Sequence, residues 1–193
     1  MPSIRALLFV VFSALLPRQL CAQSGQKISL QVSGLSTGIV ANGGVINGFG
    51  VEPQGRINVK YFPGVGMLSF GVGAQYSSHL SGDNIGIRIV GGFAEPRLVI
   101  AKIATQRISP YVAGRVALLR QSNDVATSSG GLAIGGGGGI AVTVSPRVNV
   151  DVGIAGIVQR FRRSSTPSGR TFIQGVMNSY AAKLGLSIGL GGS

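Results

Sequence analysis

Between Val51 and Tyr61 the chain alternates strictly. Val51, Pro53, Gly55, Ile57, Val59 and Tyr61 fall on one side of an extended backbone, and Glu52, Gln54, Arg56, Asn58 and Lys60 fall on the other. A period of two marks a β-strand with one apolar and one polar face. Seven further segments repeat the pattern. Ile28, Leu30 and Val32 oppose Ser29, Gln31 and Ser33; Leu68, Phe70, Val72, Ala74 and Tyr76 oppose Ser69, Gly71, Gly73, Gln75 and Ser77. In the fourth segment Ile85, Ile87 and Ile89 oppose Gly86 and Arg88. A bulge at Gly91-Gly92 is then expected to shift the phase, so that Ala94, Pro96, Leu98 and Ile100 oppose Phe93, Glu95, Arg97 and Val99.

The remaining four segments follow suit. Val112, Gly114, Val116 and Leu118 oppose Tyr111, Ala113, Arg115 and Ala117. Leu132, Ile134, Ile140, Val142 and Val144 oppose Ala133, Gly135, Gly137, Gly139, Ala141 and Thr143. Val148, Val150, Val152 and Ile154 oppose Asn149, Asp151, Gly153 and Ala155. Tyr180, Ala182, Leu184, Leu186, Ile188 and Leu190 oppose Ser179, Ala181, Lys183, Gly185, Ser187 and Gly189.

The connections alternate too. Polar, mostly longer stretches (ANGGVING from Ala41, SSHLSGDN from Ser77, Gln121 to Gly130, Arg162 to Gln174) take turns with Pro63-Gly64, ATQRISP and Ser145-Pro146-Arg147. Short turns on one side and long loops on the other are the habit of bacterial membrane barrels. An even strand count places both termini at the periplasmic end. VEPQGRI at Val51 also recurs as AEPRLVI at Ala94, on two strands running the same way. The predicted fold is all-β, an eight-stranded antiparallel up-and-down transmembrane β-barrel.

Composition says which solvent meets the apolar face. Charged residues are 11% of the 193, against roughly 25% in a soluble domain. Mean hydropathy is +0.41, yet the only long apolar run is at the N-terminus. A chain this apolar without spanning helices must satisfy its backbone by closing a barrel. The rival is a secreted soluble sandwich or lipocalin-like barrel, with its charged face outward. The sixth segment fits that poorly, because its second face is Ala, Gly and Thr with no charge. Aromatic residues are few, with Trp absent, which is sparse for an interfacial girdle.

Residues 1–22 read as a secretory signal, leaving 23–193 as the barrel domain. Arg5 supplies the positive charge, Ala6 to Leu16 is the apolar core, and Pro17 and Arg18 end it. A cut after Ala22 or Ser24 fits. Cys21 lacks the small residue before it that a lipobox requires, so it leaves with the signal, and no thiol chemistry remains. Arg5 and Arg18 leave as well, taking the net charge from +12 to +10. Scattered basic residues behind a signal point to anionic lipid head groups rather than nucleic acid.

With segments such as GVEPQGRINVKYF, GLAIGGGGGIAVTVSPRVNVDVG and SYAAKLGLSIGLG, the chain resembles the small eight-stranded outer-membrane barrels, the OmpA transmembrane domain and OmpX-like group, from about Lys27 to Leu190. The resemblance implies residence in the outer membrane after export through the periplasm. It implies outer-membrane lipid, lipopolysaccharide and the barrel assembly machinery as partners, a monomeric state, no cofactor or metal, and a structural, envelope-integrity or surface-binding role without enzyme activity. A narrow small-solute pore is the alternative.

The polar face gathers charge. Glu52, Arg56, Lys60, Arg88, Glu95, Arg97, Arg115, Asp151 and Lys183 are predicted to share the lumen. An eight-stranded barrel is just wide enough for its side chains to fill, so these should pair across it rather than stand alone. Gly135 to Gly139 lacks the Lys-Ser/Thr and helix that a phosphate loop needs and instead makes room in the lumen. His79-Leu80-Ser81 has the His-x-Ser spacing of an outer-membrane lipid A deacylase, itself an eight-stranded barrel. That family expects Asn after the serine, where this chain has Gly82. An interfacial loop histidine is the expected reading; a hydrolase is the further alternative. Arg160, Arg162, Arg163 and Arg170 cluster near the last outer loop. Guanidinium pairs well with phosphate, so lipopolysaccharide contact and plain solvated charge both stand.

Overall fold

The computed structural model describes residues 27–41, 44–80, 86–124, 128–162 and 176–190. The predicted signal segment, Cys21, Ser81, Arg163 and Arg170 lie outside these. Eight strands run β1 Ile28–Ala41, β2 Gly44–Phe62, β3 Gly66–Leu80, β4 Gly86–Ile100, β5 Ile108–Asn123, β6 Ser128–Ser145, β7 Val148–Phe161 and β8 Val176–Leu190. Each pairs antiparallel with its sequence neighbour. β1 closes on β8, from Ile28↔Leu190 to Val40↔Asn178, so no sheet edge remains unpaired.

The period of two separates two environments. Leu30, Val72, Ile134, Ile154 and Leu184 point outward and are more than half exposed. Their neighbours Gln31, Gly71, Ala133, Gly153 and Gly185 are buried inside. Apolar side chains cover the exterior of all eight strands. That is far beyond the patch a soluble monomer leaves in water, so the exterior suits a bilayer. The outward aromatics fall toward two levels. Phe49, Tyr76 and Tyr180 lie in the half away from the termini, and Phe62 and Phe70 lie nearer the terminal end.

Two local features are set by glycine. The β2–β3 turn places Gly64 at φ 75° and Gly66 at φ 149°, conformations that L side chains rarely adopt. On β6 the lumen-facing glycines let neighbouring backbone crowd in. A Cβ on Gly137 would sit 2.0 Å from the Ile154 carbonyl oxygen, and one on Gly139 would sit 2.5 Å from the Tyr111 hydroxyl.

The strands reach further than their periodic cores. ANGGVING is not a loop of that length, because β2 begins at Gly44; the ends of the predicted Gln121–Gly130 loop likewise belong to β5 and β6. Ladder pairing, with β1 for Gly44 to Asn47, outweighs the local turn preference of Gly and Asn. The fourth segment is also corrected. β4 pairs with β3 without any register shift, from Gly66↔Ile100 to Leu80↔Gly86. No bulge occurs at Gly91-Gly92, so Ile87 and Ile89 face inward with Phe93 and Glu95. The one irregularity between β2 and β3 lies between Asn58 and Lys60.

The lumen has three layers. Toward the distal end, away from the termini, Ile39, Ile89, Phe93, Leu119, Ile157, Phe161 and Met177 form an apolar cluster. Toward the terminal end Met67, Val99 and Tyr111 form a second, smaller one. The charged layer lies between them.

Candidate functional site in the barrel lumen

Glu95 is the hub. Its Oε1 accepts from Arg56 Nη2 at 2.6 Å and Arg97 Nη2 at 3.2 Å; its Oε2 accepts from Arg115 Nη2 at 2.6 Å and Lys183 Nζ at 3.3 Å. Four strands thereby converge on one carboxylate: β2, β4, β5 and β8. The other two acids secure the flanks. Asp151 Oδ2 accepts from Arg97 Nη1 at 2.6 Å, and Asp151 Oδ1 accepts from the Tyr111 hydroxyl at 2.8 Å. Glu52 pairs with Arg115, and its Oε2 accepts from Arg115 Nη2 at 3.1 Å.

Neutral groups extend the network. Arg56 donates to Ser69 Oγ at 3.1 Å and to Gln54 Oε1 at 3.4 Å, and Gln54 Nε2 donates to Gln31 Oε1 at 2.7 Å. Aromatic rings cover both faces. The Arg115 guanidinium lies 4.0 Å from the Phe93 ring centre on the distal side, and that of Arg97 lies 3.7 Å from the Tyr111 ring centre on the terminal side. Cation–π contact of this kind favours a guanidinium that has lost its water. A cavity of about 20 Å³ remains beside Gly137, lined by Glu95, Tyr111, Arg115 and Lys183 among others. It has space for about one water and none for a substrate.

Of the nine charged residues predicted to line the lumen, Glu52, Arg56, Glu95, Arg97, Arg115, Asp151 and Lys183 are brought together. Lys60 and Arg88 are not. The irregularity after Asn58 puts Lys60 opposite Leu68, on the outer face, where its Nζ lies 5.1 Å from the Phe62 ring centre. Arg88 faces outward because β4 keeps its phase, and it pairs with Asp124 at 3.1 Å in an exposed contact. Glu52 pairs with Arg115 rather than with Arg56 on its own strand. Sequence reasoning missed the roles of Tyr111, Phe93, Gln54 and Gln31. Strand parity placed each on the inner face, but parity carries no information about which inner residues meet.

His79 is not an interfacial loop residue. It sits on β3 with its imidazole buried in the barrel, and Nε2 lies 2.8 Å from Thr37 Oγ1. Arg160 and Arg162 stand exposed at the distal ends of β6 and β7, beside a groove on the outer wall.

No protein-family model matches the sequence, and no curated protein does. Solved structures do match in fold. Neisserial surface protein A superposes with a TM-score of 0.66 at 16% identity, covering 85% of this chain and 97% of that one. The outer membrane enzyme PagL superposes with a TM-score of 0.52 at 14% identity, covering 83% and 99%. The chain therefore has the fold of the small eight-stranded outer-membrane β-barrels, as its OmpA/OmpX-like pattern implied. Identities this low carry no activity across.

Proposed function

We propose that this chain is a non-conducting structural barrel of the bacterial outer membrane, exported through the periplasm, with its distal end turned outward for surface contact. One observation carries the reading: the lumen is filled by a continuous ionic layer held between two apolar clusters. An ion crossing the barrel would have to displace Glu95 from four cations and also pass the apolar clusters that flank it. The fold of the neighbours supports an outer-membrane address, since Neisserial surface protein A is a surface protein by name.

The hydrolase alternative has less support, although one neighbour is an enzyme. A lipid-cleaving histidine must reach lipid, and the His79 imidazole is turned into the barrel against Thr37.

Planar bilayer recording tests the proposal. Purified, refolded protein should insert without discrete current steps. Reproducible ohmic steps that scale with salt concentration would replace it with the pore reading.

A further inference from the structure

The distal outer wall of β5, β6 and β7 carries a feature that the sealed lumen does not explain. A groove of about 490 Å³ is lined by Leu118, Gly130, Gly131, Leu132, Arg160, Phe161 and Arg162. Leu118 is 71% exposed and Leu132 is 52% exposed, forming an apolar wall. A basic rim adjoins them: Arg120 and Arg162 stand two residues further toward the distal end, and Arg160 lies level with Leu132. The register sets Arg120 beside Gly130, and Arg160 beside Leu132. Arg162 is tied to the same edge: its N–H donates to the Gly130 carbonyl at 3.2 Å, and its carbonyl accepts from Ser129 Oγ at 2.5 Å. Arg120 donates to Ser128 Oγ at 2.9 Å.

None of the three arginines has an acidic partner among the described residues. The sequence contains no Asp or Glu after Asp151, which is spent in the lumen, and Asp124 is engaged by Arg88. Among the described residues the rim's positive charge therefore has no acidic counterpart. Depth fits as well. Arg120 lies five residues from Arg115, at the middle of β5. Five residues at about 3.4 Å each, on a strand tilted about 40°, rise roughly 13 Å. That is about half of an apolar band roughly 25 Å tall, so Arg120 lies at head-group level with Leu118 beneath it, and Arg160 starts one step lower, level with Leu132.

We infer that this groove binds a phosphorylated lipid of the outer leaflet, with an acyl chain along Leu118 and Leu132 and a phosphate on Arg120, Arg160 and Arg162. Guanidinium is the side chain best shaped for phosphate. Gly130 keeps the groove open, since a Cβ there would meet nothing within 4 Å. The inference rests on the membrane reading, which is checked first by the gel shift of the unboiled protein, before any lipid is added.

The test uses full-length folded protein in detergent, titrated with diphosphorylated lipid A and followed by native mass spectrometry. Wild type should retain lipid A and should not retain phosphatidylcholine. The Arg120→Gln/Arg160→Gln/Arg162→Gln variant should bind about 150-fold more weakly, the loss expected for three basic residues near a charged surface. Gly130→Phe fills the groove from an open position and keeps every arginine; it too should weaken lipid A binding. Inorganic phosphate at equal concentration should not displace the lipid. Unchanged binding in both variants would overturn the inference, as would equal retention of phosphatidylcholine or displacement by inorganic phosphate.

Discussion

Glu95→Gln tests the lumen most sharply. The substitution keeps the side chain's shape and removes its charge. Four cations, Arg56, Arg97, Arg115 and Lys183, would then face two acids, Glu52 and Asp151. The loss is unequal among them. Arg97 retains Asp151, and Arg115 retains Glu52. Arg56 and Lys183 retain no carboxylate partner among the described residues; Arg56 keeps Ser69, Gln54 and the backbone carbonyl of residue 95. Breaking a buried ion pair by removing one partner costs about 3–5 kcal/mol, and Glu95→Gln should lower unfolding stability by about that much. Adding Arg56→Met removes one of the two stranded cations, so the double variant should cost less than the sum of the singles, by about 0.5–3 kcal/mol. The coupling with Arg56 should exceed those with Arg97 and Arg115. The chain contains no tryptophan, so urea unfolding in lipid vesicles is followed by far-UV circular dichroism and by gel mobility. A cost under about 1 kcal/mol, with coupling near zero for all three arginines, would mean a wet lumen of independently solvated charges and would refute the reasoning.

Leu184 lies outward near the middle of β8 and is 62% exposed, so Leu184→Arg should cost about 2–4 kcal/mol. Leu186→Arg, nearer the terminal end, should cost less, and Ser187→Ala on the inner face should cost about 1 kcal/mol; equal effects in a vesicle unfolding titration would mean the faces are misassigned. Gly139→Val should abolish the heat-modifiable folded band on a denaturing gel, because its Cβ would meet the Val152 carbonyl at 2.3 Å and the Tyr111 hydroxyl at 2.5 Å. Gly130→Ala, with open space around it, should leave that band intact. Incubation with lipopolysaccharide should release no fatty acid; release abolished by both His79→Ala and Ser81→Ala would establish the hydrolase reading instead.

Much of this architecture was legible in the sequence because one face of each strand is apolar and the other mostly polar or small. Ser187 beside Leu186, or Asp151 beside Val152, announces its own orientation. The signal fails where the lumen itself is apolar. On β4, Ile87 and Ile89 fill the distal cluster, so an isoleucine row that reads as lipid-facing points inward, and Arg88 goes the wrong way with it. Lys60 was misplaced for a different reason. The irregularity after Asn58 depends on how β2 and β3 pair, and no single strand encodes that. The hub position of Glu95 was not readable either. Which carboxylate meets four cations depends on the tilt and register of eight strands, whereas alternation supplies only the list of side chains that share the interior.

A cysteine scan along β8 from Tyr180 to Ile188, in a Cys21→Ser background and in lipid vesicles, tests the sealed membrane barrel most directly. Each position is challenged with a water-soluble methanethiosulfonate and with a membrane-partitioning maleimide. Lipid-facing Ala182, Leu184 and Leu186 should react only with the apolar reagent, while inner positions Ala181, Gly185 and Ser187 should resist both. Reaction of the inner positions with the aqueous reagent would contradict the seal, and reaction of the outward positions with it would contradict the membrane barrel itself.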